Sequence, residues 1–154
     1  ILNKKIGSDL RLFFYNQGFL KSLNKINSFK KKYNLFFLLV YPNVKSSTKY
    51  TYSKVKKYSP KLKVRFNNVN NKVKLTQFLV NLKNDLQSVL ENKYPIIRKL
   101  ITEIEQKKGC YFSRMSGSGS VCYGIFENEK TAVIALKAIK SKYPKFWVSV
   151  AKTI

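Results

Sequence analysis

Between Pro95 and Gly109, Ile97, Leu100, Ile101 and Ile104 recur at three- and four-residue steps, closed by Lys107-Lys108-Gly109. That spacing lines branched side chains along one face of a helix, and the face must be covered by something apolar. Proline at the first turn loses no hydrogen bond, and cations followed by glycine suit the far end. Two apolar stretches come next, Cys110 to Met115 and Val121 to Phe126, bracketing Ser116-Gly117-Ser118-Gly119-Ser120. A helix that must bury a stripe beside two such strands predicts an α+β fold.

The rest of the chain extends that reading. Leu35 to Val40 is a continuous apolar run bounded by Asn34 and Pro42, which fits a buried strand. Residues Gly18 to Lys32 read as a hairpin and connection, and Ile6 to Phe14 as a turn entering a strand-like stretch. Pro42 to Ser59 reads as a turn and a short helix; Tyr58 to Lys74, with its Asn-Asn pairs, reads as a solvated loop. Leu75, Phe78, Leu79, Leu82, Leu86, Val89 and Leu90 predict one helix, or two broken near Asn84-Asp85. A further helix over about Glu129 to Lys142 is expected to pack Ala132, Val133, Leu136 and Ile139. Pro144 ends it before a last strand, Phe146 to Val150. The expected architecture is an antiparallel sheet with helices on one face.

What is absent narrows the chemistry. The 154 residues contain no histidine, which excludes Ser-His-Asp and Cys-His catalysis and every His-containing metal site. The seven acids, Asp9, Asp85, Glu91, Glu103, Glu105, Glu127 and Glu129, show no spacing of a carboxylate metal cage or a glycosidase pair. Cys110 and Cys122 lie in apolar runs and read as small buried hydrophobes of a reducing cytosol. The longest apolar run, Leu35 to Tyr41, is too short for a membrane span of about twenty residues, and no secretory leader is visible. A net charge of +24 attracts polyanions. The joint abundance of Lys, Asn, Ile, Phe and Tyr, as in an AT-rich coding sequence, explains the same charge equally well.

Three local features could carry chemistry. The Ser116 to Ser120 loop could offer backbone amides to an anion or be a plain hairpin loop. Asp9, after Gly7-Ser8, could cap a helix or accept a hydroxyl proton. Ser46-Ser47-Thr48 followed by Tyr52 could hold the edge and face of a flat ring, or be a surface turn. Each is ambiguous alone.

In this order they resemble the 4-diphosphocytidyl-2-C-methyl-D-erythritol kinases, a family of the GHMP kinases. Gly7-Ser8-Asp9-Leu10 with Phe13-Phe14 resembles the family's GADxPFF stretch, and Pro42 to Tyr52 its P-x-x-x-x-S-T-x-x-x-Y segment. Leu82 to Leu86 resembles its L-x-N-D-L element and Arg114 to Tyr123 its R-M-S-G-S-G-S loop, so the likeness runs along nearly the whole chain. The resemblance implies transfer of a phosphoryl group from ATP, with Mg2+, to the 2-hydroxyl of a cytidyl-diphosphate methylerythritol. That is a step of non-mevalonate isoprenoid synthesis in the cytoplasm. It makes Asp9 the catalytic base. Thr48 and Tyr52 become contacts of the cytosine, and Ser116, Gly117, Ser118 and Gly119 a support for the ATP loop. No membrane or nucleic-acid partner is implied.

The departures are also legible. The family's proline after the aspartate is Arg11, Leu12 stands at the first aromatic, and Ser22-Leu23-Asn24-Lys25 replaces a Gly-x-Gly-acid turn. The glycine-rich ATP loop has no counterpart and is expected upstream of Ile1. Residues 1–30 are then the tail of an N-terminal kinase domain and 31–154 a C-terminal domain, with the missing half as partner and no turnover expected from these residues alone. Two other readings stand beside this one. The first is a small basic RNA- or DNA-binding module, from the charge and the Tyr/Phe/Lys interleaving of Lys49 to Phe66; the second is an inactive kinase remnant.

Overall fold

The computed structural model describes residues 14, 17–22, 25–28, 32–60 and 71–153. The chain divides into two compact units, Ile1–Asn34 with Thr153–Ile154, and Leu35–Lys152. In the first, strands β1 (Gly18–Ser22) and β2 (Lys25–Ser28) form the expected hairpin, with Gly18 opposite Ser28 and Leu20 opposite Ile26. The Gln17 carboxamide brackets Tyr33, donating to its carbonyl at 2.8 Å and accepting from its amide at 3.0 Å. The strand-like reading of Ile6 to Phe14 lies outside the described residues, except for Phe14, which is exposed.

The second unit is built on β3 (Phe36–Tyr41), β4 (Cys110–Met115), β5 (Cys122–Phe126) and β6 (Trp147–Lys152). They form one four-stranded antiparallel sheet in the order β4-β5-β3-β6. Register decides which side chains meet. Leu38 stands opposite Gly124 and Val150, and Val40 opposite Cys122 and Val148, so these residues share one face. Helices α1 (Thr48–Ser53), α2 (Lys72–Val80), α3 (Gln87–Lys93), α4 (Pro95–Glu105) and α5 (Glu129–Lys142) complete the unit.

Helix α4 buries Ile97, Leu100, Ile101 and Ile104, the four residues that the periodicity selects. They join Leu38, Val40, Met115, Cys122 and Phe126 of the sheet and Ala132, Ala135 and Ile139 of α5 in a single core. The helix lies close to the sheet because Gly124 has no side chain: a Cβ there would stand 2.5 Å from Ile104 Cγ2. This is the expected α+β architecture, an antiparallel sheet with its two long helices on one face. Among the described residues, no helix is long and apolar enough to cross a membrane.

Two helix boundaries and one buried position differ from the sequence reading. Helix α4 stops at Glu105, with Gln106 at its C-cap and no cation in its last turn, short of the expected Lys107-Lys108-Gly109 end. Lys72–Lys74 belong to the first turn of α2, because the Asn71 side chain accepts the Lys74 amide at 2.8 Å and caps the helix. Tyr58–Pro60 carry no regular structure, as expected, and 61–70 lie outside the described residues. Val133 is exposed rather than packed, and Ala135 takes its place, since the buried stripe of α5 runs 132, 135, 139. The long apolar pattern from Leu75 resolves into two helices, with the break over 81–86.

Helices α4 and α5 are also joined by charge. Glu103 Oε1 accepts from Lys142 Nζ and from the Tyr143 hydroxyl, each at 2.8 Å. Burial opposes ionisation of Glu103, but these two donors outweigh it and hold the carboxyl below its usual range. Burial and the bond to Glu103 push the Tyr143 phenol up to about 12. A folded value below the unfolded one, about 4.3, means a contribution fully present above that pH and lost as pH falls through the folded value. Chemical denaturation between roughly pH 6 and pH 3 should therefore weaken the wild type more steeply than Glu103→Gln. Equal slopes would show that the carboxylate does not contribute.

Candidate functional site

The loop between β4 and β5 is short and tightly held. The Ser116 amide donates to Val121 O at 2.8 Å and the Gly119 amide to Ser116 O at 2.9 Å. Gly119 has φ +86°, and a Cβ there would meet Met115 Sδ at 2.7 Å, so both the backbone and the packing require glycine.

Side chains from two distant segments hold this loop. On one side Asn84 Nδ2 donates to Met115 O at 2.9 Å and to Gly117 O at 2.8 Å, while Gln87 Oε1 accepts the Met115 amide at 3.0 Å. On the other, the Thr48 and Ser118 hydroxyls are hydrogen-bonded at 2.9 Å and Ser46 Oγ donates to Ser118 O at 3.2 Å. The Ser120 hydroxyl donates to Val44 O. Ser47 caps α1 by accepting the Tyr50 amide at 3.3 Å. Tyr52, one turn beyond Thr48 on the same face of α1, keeps 54% of its surface exposed.

Tyr52, Asn84, Ser116 and Gly117 line a cleft of about 390 Å³, together with Tyr58, Asp85, Arg114 and Tyr123. The guanidinium of Arg114 donates to Leu79 O at 3.2 and 3.3 Å and to Val80 O at 3.4 Å, which ties the last carbonyls of α2 to edge strand β4. It also lies 4.6 Å from the Phe112 ring centroid. Burial pushes the Tyr123 phenol up, with Arg114 opposing. Asp85 accepts the Ser59 hydroxyl at 2.5 Å and the Ser59 amide at 2.8 Å, and these bonds hold its carboxyl below the ordinary range.

The geometry thus brings Thr48, Tyr52, Ser116, Gly117, Ser118 and Gly119 to one place, although the first two lie about seventy residues from the loop. Asp9 lies outside the described residues. Gln87 carries no signal in the sequence; Asn84 appears there only within the L-x-N-D-L match, and Ser46 within the ring-holding segment, neither as a brace of the loop. Among the described residues, no three acidic or thiol side chains converge on a cation position.

Residues 66–145 match the family described as GHMP kinases C terminal. The chain belongs to the GHMP kinases. Within that family, this GHMP kinase chain is 36% identical to the 4-diphosphocytidyl-2-C-methyl-D-erythritol kinase of Pelagibacter ubique (strain HTCC1062), over 99% of this chain and 54% of that protein. It is 41% identical to the kinase of the same name from Wolbachia sp. subsp. Brugia malayi (strain TRS), over 52% of this chain and 28% of that protein. A crystal structure of a 4-(cytidine 5'-diphospho)-2C-methyl-D-erythritol kinase shares the fold at TM-score 0.74 and 17% identity, covering 99% of this chain and 56% of that one. The chain spans about half the length of the first of these relatives.

Proposed function

We propose that this GHMP kinase chain forms the acceptor-substrate side of an ATP-dependent kinase that phosphorylates the 2-hydroxyl of 4-diphosphocytidyl-2-C-methyl-D-erythritol, an isoprenoid precursor, in the cytoplasm. The observation that carries the reading is the 2.9 Å bond between Thr48 and Ser118. It docks a helix with a free aromatic ring onto a Gly/Ser loop, and it joins two motifs of the same kinase family across the fold.

The division of labour follows from what phosphoryl transfer needs, namely positioning, charge neutralisation and one group to take the hydroxyl proton. Tyr52 offers its exposed face to the cytosine and Thr48 a hydroxyl to the edge of the base. The loop from Ser116 to Gly119 lies against the ATP-binding segment and shapes it. Asp9 accepts the proton of the 2-hydroxyl as that oxygen attacks the γ-phosphorus and ADP leaves. The +24 charge raises the local concentration of both anionic substrates. Magnesium, where it accompanies ATP, supplies charge neutralisation at the phosphates.

Tyr52 gives the reading its test, because stacking on a base contributes roughly 1–3 kcal/mol. In this chain supplied with an ATP-binding half, Tyr52→Ala should raise KM for the cytidine-bearing substrate by about tenfold or more and leave KM for ATP unchanged. An unchanged acceptor KM would take Tyr52 out of the site.

A further inference from the structure

Asn84 stands in the 81–86 connection between α2 and α3, and every hydrogen-bonding group of its carboxamide is directed into the protein. Nδ2 donates to Met115 O at 2.9 Å and Gly117 O at 2.8 Å, and Oδ1 accepts the Leu86 amide at 3.0 Å. Two donors face the loop and the acceptor faces its own connection, which fixes the orientation of the amide plane. The loop needs this help. Its internal ties are the Ser116–Val121 and Gly119–Ser116 bonds, and among the described residues the Gly117 and Ser118 amides meet no protein acceptor. The far arm is held through Ser118 by Ser46 and Thr48.

We infer that Asn84 is a positioning residue of the acceptor site. By fixing Met115 O and Gly117 O it sets where Ser118 stands, and through the Ser118–Thr48 bond it sets α1 and hence the ring of Tyr52. Asn84 itself makes no claim on the reacting atoms. This role rests on the kinase reading only in its consequence for turnover.

The isosteric variant Asn84→Asp isolates the effect. It keeps an oxygen for the Leu86 amide but replaces the two donated bonds with a carboxylate facing two carbonyl oxygens. Protonation returns one donor. In 1H–15N spectra of the chain, the amides of 116–120 should shift in Asn84→Asp at neutral pH and move back toward their native positions as pH falls through the carboxyl titration. Asn84→Ala should shift the same amides without any return, and it covers the case in which the charged variant does not fold. In the kinase completed by an ATP-binding half, kcat/KM for the acceptor should drop roughly 10–100-fold, as misplacement by about an ångström can do. That loss should fall in KM and ease toward acid pH only for Asn84→Asp.

Loop amides that stay at their native positions in both variants would overturn the assignment. So would a displaced loop with an unchanged acceptor KM. A wild-type protein without turnover would instead reject the kinase reading, and the loop amides would still decide whether Asn84 positions the loop.

Discussion

Asp9→Asn is expected to lower kcat by at least ~100-fold, the size associated with losing a general base, while KM for both substrates stays close to wild type. The amide has the shape of the carboxylate but cannot take up the hydroxyl proton. Several other acids are already engaged. Asp85 reaches the cleft but is held by the Ser59 hydroxyl and amide, and Glu103 by Lys142 and Tyr143. Glu91 accepts from Gln87 at 2.8 Å and from Arg98 at 3.5 Å. Asp85→Asn should therefore cost far less than Asp9→Asn in the same assay. Near-normal kcat for Asp9→Asn would remove that residue from the mechanism, and a larger loss at Asp85 would move the base into the described cleft.

Phe126→Ala is expected to destabilise the fold by about 3–5 kcal/mol, the usual range for emptying a fully buried aromatic site. Phe126 is 0% exposed and faces Phe36 on one side and Cys110 on the other, in the core shared with Ile104 and Ile139. The neighbours are anchored by strand pairing and by the close seat of α4 over Gly124, so little collapse can fill the void. For a chain of this size that corresponds to a melting point lowered by roughly 6–20 °C. Ile134→Ala, on the exposed face of α5, should change stability by less than about 0.5 kcal/mol. Equal effects at the two positions would contradict the placement of the core.

The contrast between these positions shows what the sequence carries. Helix α4 is legible because its burial pattern is written entirely in large branched residues, with proline at its first turn. Ala135 is less visible because the larger Val133, two residues before it, gives a false signal. The start of α2 is hidden for a different reason. Asn71 serves as a cap, yet an Asn-Asn pair in a lysine-rich run has the composition of a loop.

At the site, the resemblance to a kinase family picks out Thr48, Tyr52 and Ser116 to Gly119, and the fold brings these residues together. That Thr48 meets Ser118, rather than merely standing near it, depends on a contact across 70 residues that no local pattern encodes. Asn84 is the clearer case. Its effect is exerted on carbonyls 31 and 33 residues away, and a carboxamide in a connection looks like any polar turn residue until the register of β4 is known.

The most direct test of the account is phosphoryl transfer itself. The chain, fused to or mixed with the part of the Pelagibacter kinase that it does not cover, is given γ-labelled ATP and 4-diphosphocytidyl-2-C-methyl-D-erythritol, and the product is analysed for the position of the label. The account predicts label on the 2-hydroxyl, with ADP released in equal amount and no such product when cytidine 5'-diphosphate replaces the acceptor. ADP release without a labelled acceptor, or no release from a folded and assembled protein, would contradict it.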